Sequence, residues 1–246
     1  MISRIDIKNE HVIKGIQFDG LRKLGDPNRF AKKYYEQGID EIVFMDAVAS
    51  LYDRNNLSHI IRQACKEIFV PITVGGGIRT VKDIENALNS GADKVAINTQ
   101  AIKNPDFIRQ ASRIFGSQCI VGSIEAKKNE NGWESYIDNG RDKTGKNILD
   151  WVCELQELGA GEILLTSVDR DGLQKGFDTK LINKVSSKIS IPLIISGGAG
   201  NLTHITDVCK EASFDGIALG SVLHYDKLSV EQIKKTMMKE NIRVRA

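Results

Sequence analysis

The sequence has 246 residues, of which 41% are hydrophobic, so it can bury the core of one α/β barrel or of two small domains. Its formal net charge is only +2 and both signs are mixed along the chain, which argues against nucleic acid or an anionic membrane as a partner. The start mixes charged and apolar residues, and no later run reaches about 18 apolar residues, so neither a signal peptide nor a membrane span is predicted.

The cysteines are widely spaced, with no C-x-x-C pair and no neighbouring histidines. This pattern is typical of reduced thiols in a cytoplasmic protein and indicates neither a zinc site nor a disulfide framework. We therefore expect a cytoplasmic protein without a metal ion or another cofactor. The four cysteines are Cys65, Cys119, Cys153 and Cys209.

Short apolar runs alternate with longer amphipathic stretches along the whole chain. Their near-continuous apolar character is typical of parallel strands that are covered on both faces. Helical patterns lie between them, for example at 81–91 and 105–116, and each ends at a glycine that suits a left-handed C-cap. This alternation predicts an α/β fold, either a (β/α)8 TIM barrel or an open doubly wound sheet. The eight strand-like runs are 4–7, 41–46, 71–74, 94–98, 119–124, 162–167, 192–196 and 216–220.

An internal repeat favours the closed barrel. With a shift of 121 residues, IFVPITVGGGIRTVKDI at 68–84 aligns with ISIPLIISGGAGNLTHI at 189–205. Towards the fourth and eighth strands the shift becomes 122, and Asn98 aligns with Gly220. Two equal halves of four strand and helix units close naturally into one barrel. We therefore expect residues 1–246 to form a single TIM-barrel domain with a two-fold half-barrel repeat.

Glycine-rich motifs follow the third and seventh predicted strands, and small residues follow the fourth and eighth. At the C-terminal ends of barrel strands, glycines let backbone amides approach an anion, and a following helix adds partial positive charge. The glycines could equally form tight turns, but two copies related by the repeat favour two phosphate sites. The first cradle consists of Gly76, Gly77, Asn98 and Thr99. The second cradle consists of Asp171, Gly172, Gly197, Gly198, Gly220 and Ser221. A small-molecule substrate with a phosphate at each end would fit both cradles.

Two acidic residues, Asp6 and Glu125, occupy equivalent positions in the first and fifth strands. Two carboxylates across a barrel mouth can serve as general acid and general base if their surroundings separate their pKa values. The structural alternative is an ion pair with Lys8, Lys14 or Lys127. We favour the catalytic interpretation, because charged residues are seldom buried in a strand without a purpose.

Charged residues also begin strands two, four and six. Glu41, Lys94 and Glu162 lie at the N-terminal starts of these strands, at the bottom of the predicted barrel. Such charges either form a solvated surface or join in a ring that closes the bottom.

Motifs from about residue 6 to 225 resemble the cyclase subunit of imidazole glycerol phosphate synthase. This resemblance implies a TIM-barrel lyase and cyclase of histidine biosynthesis, which uses ammonia and a bis-phosphorylated aminoimidazole carboxamide ribonucleotide. It also implies a heterodimer, in which a glutaminase subunit docks on the bottom face and ammonia passes through the barrel. The motifs are GDP at 25–27, DEIVFMD at 40–46, VGGGIR at 74–79, GADKVAINT at 91–99, FGSQC at 115–119, GAGEILLTSVDRDG at 159–172, SGGAGN at 196–201 and SVLHY at 221–225.

The resemblance also implies roles for single residues. Asp6 matches a catalytic aspartate, Lys14 matches the lysine near it, and the two cradles match the two phosphate sites. The arginine that completes the family's salt-bridged gate has no match, so we expect an altered gate or further starting residues. The residues implied for the ammonia gate and the partner interface are Glu41, Lys94, Glu162 and Asp93.

The sequence departs from the family pattern near both carboxylates. Glu125 replaces a second aspartate, and its extra carbon moves the carboxylate by roughly 1.5 Å. A displacement of that size can lower a rate by on the order of a hundredfold. Arg4 and Ile5 replace a cysteine and a leucine, and a cation at position 4 would depress the pKa of Asp6 if the charges approach.

Three functions are compatible with these observations. The leading hypothesis is the ammonia-dependent cyclase. The second is a paralogue that delivers ammonia from a glutaminase to a separate amidotransferase of surface-sugar biosynthesis. The third is a sugar isomerase of the related two-phosphate barrel family.

Overall fold

The computed structural model describes residues 1–49 and 57–245. In this part of the chain, twelve strands join in one sheet. Eight of them are parallel and close into a barrel, because the last strand pairs with the first. The predicted (β/α)8 TIM barrel is confirmed. The strands are β1 (Ile2–Lys8), β2 (His11–Ile16), β3 (Asp19–Gly25), β4 (Glu41–Asp46), β5 (Ile72–Gly75), β6 (Lys94–Ile97), β7 (Ile120–Asn129), β8 (Gly132–Ile137), β9 (Asp142–Asn147), β10 (Glu162–Ser167), β11 (Leu193–Ser196) and β12 (Gly216–Leu219).

The barrel strands run in the order β1, β4, β5, β6, β7, β10, β11, β12 and back to β1. Strands four steps apart in this order face each other across the barrel. Thus β1 lies opposite β7, and β5 lies opposite β11. The two predicted carboxylates and the two predicted cradles therefore stand on opposite sides of the mouth.

Two antiparallel hairpins extend the barrel strands, and the sequence patterns did not predict them. The first consists of β2 and β3 and continues β1, and the second consists of β8 and β9 and continues β7. In each half the first strand turns back through two residues, since Lys8 pairs with His11 and Asn129 pairs with Gly132. The half-barrel repeat therefore includes the hairpins.

Helices cover the outside of the barrel, and their ends follow from the sequence. Thr80 begins one helix with a capping box, in which its hydroxyl accepts a hydrogen bond from the Asp83 amide at 3.2 Å. Gly91 and Gly116 follow the two predicted helices with positive φ angles of 110° and 87°. The helices of the described residues are α1 (Pro27–Glu36), α2 (Ser58–Ala64), α3 (Val81–Asn89), α4 (Thr99–Lys103), α5 (Asp106–Phe115), α6 (Ile148–Glu157), α7 (Thr179–Ser186), α8 (Leu202–Glu211), α9 (Ser221–His224) and α10 (Val230–Lys239).

Apolar side chains form two separate cores. The larger core fills the layer between barrel and helices and includes the fully buried Phe44 and Trp151. The smaller core lies inside the barrel, because side chains alternate between the two faces of each strand. Burial of each valine, leucine or isoleucine side chain in such a core contributes about 1.5–3 kcal/mol. The inner core consists of Ile2, Val43, Ala96, Val121, Leu164, Ile194 and Ala218.

Candidate active site

The glycine loops after β5 and β11 have the same backbone geometry. Gly76 and Gly197 adopt φ angles of 89° and 95°. A Cβ on Gly76 would lie 2.2 Å from the carbonyl oxygen of Asp46, and a Cβ on Gly197 would lie 2.6 Å from that of Ser167. Each glycine is therefore required by the close approach of the preceding barrel strand, whether or not a phosphate binds.

The residues that follow β6 and β12 also have the same backbone conformation. Asn98 has φ −117° and ψ −83°, and Gly220 has φ −121° and ψ −84°. Each precedes a short helix that has no side-chain N-cap hydrogen bond. The arrangement leaves backbone amides beside each glycine loop, as the two-cradle hypothesis requires. Binding of phosphate at these loops stays a prediction.

Two cavities at the mouth correspond to the two cradles. The first cavity is lined by all four predicted residues of the first cradle, and Glu125 forms part of its wall. The second, narrower cavity is lined by all six predicted residues of the second cradle, together with Arg4 and Lys14. The structure therefore groups the predicted cradle residues as expected, and it places charged side chains beside each group.

Asp6 lies in a buried network of charges. Its Oδ1 accepts a hydrogen bond from Arg4 Nε at 2.8 Å, and its Oδ2 accepts one from Lys14 Nζ at 3.2 Å. Lys14 Nζ also lies 3.0 Å from both carboxylate oxygens of Asp171. Burial by itself would raise the pKa of Asp6, but the charges of Arg4 and Lys14 outweigh it and lower the pKa to about 2. The expected effect of Arg4 on Asp6 is confirmed. We call Arg4, Asp6, Lys14 and Asp171 the four-charge cluster.

Arg4 reaches across the inside of the barrel from β1 to β10. Its Nη1 donates to Thr166 Oγ1 at 2.7 Å, and its guanidinium lies 5.3 Å from the ring centroid of Phe18 in the first hairpin. Because β1 and β10 are three steps apart in the barrel, this hydrogen bond joins non-adjacent strands. Arg4 therefore stands above the apolar inner core and below the first hairpin.

Glu125 has a different environment, although it occupies the equivalent position in the repeat. Its Oε2 accepts a hydrogen bond from the backbone amide of Gly140 at 2.7 Å. In the described part of the chain, no ion pair to Glu125 is present. Burial raises the pKa of Glu125 to about 7, although the Gly140 hydrogen bond and the charge of Arg4 act in the opposite direction. A carboxyl group with such a pKa can both donate and accept a proton near neutral pH.

The backbone of Arg4 is held by a buried histidine. His224 Nε2 lies 2.9 Å from the carbonyl oxygen of Arg4, and its Nδ1 lies 2.7 Å from the Tyr34 hydroxyl. Because a carbonyl can only accept, Nε2 carries the proton and Nδ1 accepts from Tyr34. Burial, together with the charge of Lys14, lowers the pKa of His224 to about 4. His224 is therefore neutral near pH 7 and acts as a fixed link between α9 and β1.

The predicted charged residues at the bottom of the barrel contact one another. Lys94 Nζ lies 3.2 Å from Glu41 Oε2 and 2.8 Å from Glu162 Oε2. These three side chains form an ion-paired, partly exposed group at the strand starts. Asp93 is exposed, and its carboxylate accepts a hydrogen bond from the Ile72 amide at 2.8 Å. Asp215, its partner in the repeat, accepts one from the Leu193 amide.

Four contacts of the site were missed by sequence reasoning. They involve Phe18, Thr166 and His224 around Arg4, and Gly140 at Glu125. Thr166 and His224 do lie in the GAGEILLTSVDRDG and SVLHY motifs, so those motifs offered a signal. Phe18 and Gly140 lie in the hairpins, which the apolar pattern did not reveal.

No helix among the described residues is long and apolar enough to span a bilayer. The architecture, an eight-stranded barrel with repeated glycine loops and buried carboxylates at its mouth, is that of an α/β-barrel enzyme. Residues 1–229 match the model of a family of histidine biosynthesis proteins. The chain thus belongs to this family. Comparison with individual relatives shows which members of the family it resembles.

These relatives are imidazole glycerol phosphate synthase subunits HisF. The chain is 56% identical over 203 residues to that of Legionella pneumophila, covering 82% of this chain and 96% of the relative. It is 46% identical over 247 aligned residues to that of Lactococcus lactis subsp. cremoris strain MG1363, covering 100% and 95%. For Streptococcus sanguinis strain SK36 the identity is 44% over 246 residues, covering 100% and 98%. The chain is a member of the HisF family.

Proposed function

We propose that this chain is the cyclase subunit of imidazole glycerol phosphate synthase, acting in histidine biosynthesis. Ammonia reacts with a ribulosyl aminoimidazole carboxamide nucleotide that carries two phosphates. The products are imidazole glycerol phosphate and an aminoimidazole carboxamide ribotide. Family membership over nearly the whole chain supports this activity.

One observation supports the choice of substrate most directly, namely the matched pair of cradles. The loops after β5 and β11 face each other across the mouth. The next barrel strand in each half, β6 or β12, leads into a short helix, and the two helices have the same entry geometry. A substrate with one phosphate at each end can engage both loops at once. Its reacting atoms then lie over the centre of the mouth, where Asp6 and Glu125 are located.

In this proposal Asp6, Glu125 and Lys14 form the catalytic group. Glu125 borders the first cavity and has the proton affinity that acid and base catalysis near neutral pH requires. Lys14 borders the second cavity between two carboxylates. Burial opposes the charge of Lys14, but Asp171 and Asp6 raise its pKa above the ordinary value. It therefore serves as a fixed cation rather than as a base.

Ammonia would come from a glutaminase subunit, as part of a heterodimer. The ion-paired group of Glu41, Lys94 and Glu162 lies at the bottom of the barrel, below the apolar inner core. A passage through this apolar core would favour neutral ammonia over ammonium, because burial of an unpaired charge is costly. We propose that this group is the gate and that Asp93 lies at the partner interface. The four free cysteines support a cytoplasmic location.

The test is a turnover assay with the purified chain, the two-phosphate substrate and an ammonium salt. The proposal predicts loss of substrate absorbance without any glutaminase present. Replacing ammonium by glutamine should stop the reaction, and adding a glutaminase subunit should restore it. Glu125→Asp is the companion variant: a large gain in rate would indicate that the longer side chain had disabled the site.

The ammonia-delivering paralogue makes the opposite prediction for the same assay. The complete ion pairing of Asp6 favours this second candidate, because a carboxylate held by two cations is a poor proton carrier. It predicts no turnover with ammonium in either the natural chain or Glu125→Asp, while glutaminase binding is retained. That combination of results would overturn the cyclase proposal.

A further inference from the structure

The two carboxylates of the mouth differ in how their oxygens are engaged. Both oxygens of Asp6 accept hydrogen bonds from cations, one from Arg4 and one from Lys14. Glu125 instead accepts from a neutral backbone amide, at Gly140. Asp6 is also only 6% exposed, whereas Glu125 borders the first cavity. The two groups are therefore unequal candidates for proton exchange with a substrate.

We propose that Arg4 is a positioning residue that removes Asp6 from proton transfer, so that Glu125 alone exchanges protons with the substrate. Asp6 remains in the site as a fixed negative charge. The inference rests on the proposed cyclase activity and assigns separate roles to its two carboxylates.

The position of Arg4 is fixed at both ends of the residue. Its guanidinium is held by Asp6 and Thr166 and is covered by the ring of Phe18. Its carbonyl accepts from His224, which is itself held by Tyr34. An arginine with this many contacts loses little further freedom when it pairs with Asp6, which favours a permanent ion pair.

Ser123 explains why no equivalent ion pair forms at Glu125. In the repeat that aligns Asp6 with Glu125, the residue equivalent to Arg4 is Ser123. A serine is too short and uncharged to pair with a carboxylate two residues further along the strand. The residue directly opposite Glu125 on β8 is Tyr136, which is also neutral. The lack of an Arg4-like cation beside Glu125 thus follows from this difference in the repeat, and Lys14 supplies the second cation of Asp6.

Other polar and titratable groups also surround the two carboxylates. Asp171 and His224 lie near the cations that hold Asp6, and Asp171 balances Lys14. Glu125 experiences the charges of Arg4 and Asp138 and the nearby side-chain amide of Asn98. The further charged residues that line the first cavity are Asp46, Arg79 and Lys103.

The first test follows the carboxyl groups directly, by carbon-13 NMR of the folded chain between pH 5 and 9. Signals are assigned through bonds to the backbone. In the natural chain, Asp6 should stay ionised throughout this range, and Glu125 should titrate with a midpoint of about 7. Titration of Asp6 inside this range would overturn the proposal.

Two variants of Arg4 provide the critical comparison. Arg4→Met keeps a long side chain but removes the charge, so the pKa of Asp6 should rise by about one unit or more. Arg4→Lys keeps a cation and should restore most of the shift. Arg22→Met, an exposed residue on β3, is the matched control and should leave Asp6 unchanged. Equal titration of Asp6 in the natural chain and Arg4→Met would contradict the inference.

A second measurement links the titration to catalysis. The pH dependence of kcat/KM should show one ionisation near pH 7 in the natural chain and in Arg4→Lys. Arg4→Met should acquire a second, more acidic ionisation, because Asp6 becomes a proton carrier. If Arg4→Met does not fold, Asp6→Asn combined with Arg4→Met removes both charges, and it should retain the single ionisation of Glu125.

The two proposals can fail separately. Absence of turnover in every protein would overturn the cyclase assignment, and the NMR titration would still decide the role of Arg4. Turnover with two ionisations in the natural chain would support the cyclase and overturn the inference.

Discussion

The two halves of the barrel have nearly the same backbone but different electrostatics. Asn98 and Gly220 share their dihedral angles within a few degrees, and Gly76 and Gly197 meet equivalent carbonyl groups. Asp6 and Glu125, by contrast, have pKa values lowered to about 2 and raised to about 7. Burial acts in the same direction on both, and the two cations beside Asp6 account for the difference. A repeated scaffold can therefore hold two carboxylates in opposite protonation behaviour when the charged side chains beside them differ.

The largest effect is expected when the titrating carboxyl of the second half is removed. Glu125→Gln keeps the size and can still accept from Gly140, but it cannot exchange a proton. We expect kcat with ammonium to fall roughly 10²- to 10⁴-fold, with little change in KM. The check is steady-state kinetics, with Glu130→Gln at the exposed turn of the second hairpin as control. Unchanged kcat in Glu125→Gln would show that the two halves do not differ in proton transfer.

A smaller effect is expected from glycine substitutions that test whether the two halves have equivalent backbones. Gly76→Ala and Gly197→Ala each place a Cβ against a carbonyl oxygen at a positive φ angle. We expect each to lower the free energy of unfolding by about 1–3 kcal/mol, by similar amounts. Gly38→Ala, at φ 82° with no atom near the added Cβ, is the control for strain alone and should cost less. Urea unfolding measures all three, and a large difference between the first two would argue against backbone equivalence.

The smallest effect concerns the pH dependence of stability, which should have opposite signs for the two carboxylates. Between about pH 4.5 and 7, folded Glu125 keeps a proton that the unfolded chain releases, so its contribution to stability is lost as pH rises. Asp6 contributes stability above about pH 4, and this is lost as pH falls towards 2.

The measurement is the melting temperature across pH for the natural chain and Glu125→Gln. His224 opposes Glu125 between about pH 4 and 6.5, because its pKa is lowered, so the difference between the two proteins is the informative quantity. This difference should grow in favour of Glu125→Gln as pH rises to about 7. A constant difference would indicate that Glu125 has an ordinary pKa.

Much of the fold could be predicted from the sequence because the barrel strands are apolar and repeated. All eight predicted strands are present, with ends shifted by a few residues. The hairpins were not predicted, because β3 and β9 are mostly exposed and polar and show no apolar alternation. A signal did exist, since the tripeptide KNE at 8–10 recurs at 128–130 and overlaps both turns.

The candidate site could be predicted only in part. Motif position was enough to group the cradle residues and to place Asp6 opposite Glu125. The bond between Arg4 and Thr166 joins residues 162 positions apart, and no local pattern contains such a contact. The protonation behaviour of Glu125 likewise depends on burial and on a turn amide at Gly140. Three-dimensional packing decides both features.

The four-charge cluster has a consequence for how a ligand reaches the mouth. Arg4 and Lys14 carry two positive charges, and Asp6 and Asp171 carry two negative charges, so the cluster is neutral as a whole. The field of a neutral group of charges decays quickly with distance and is further screened by salt. The cluster can therefore orient a ligand that has already arrived at the mouth, but it does not steer an anion towards the mouth from solution.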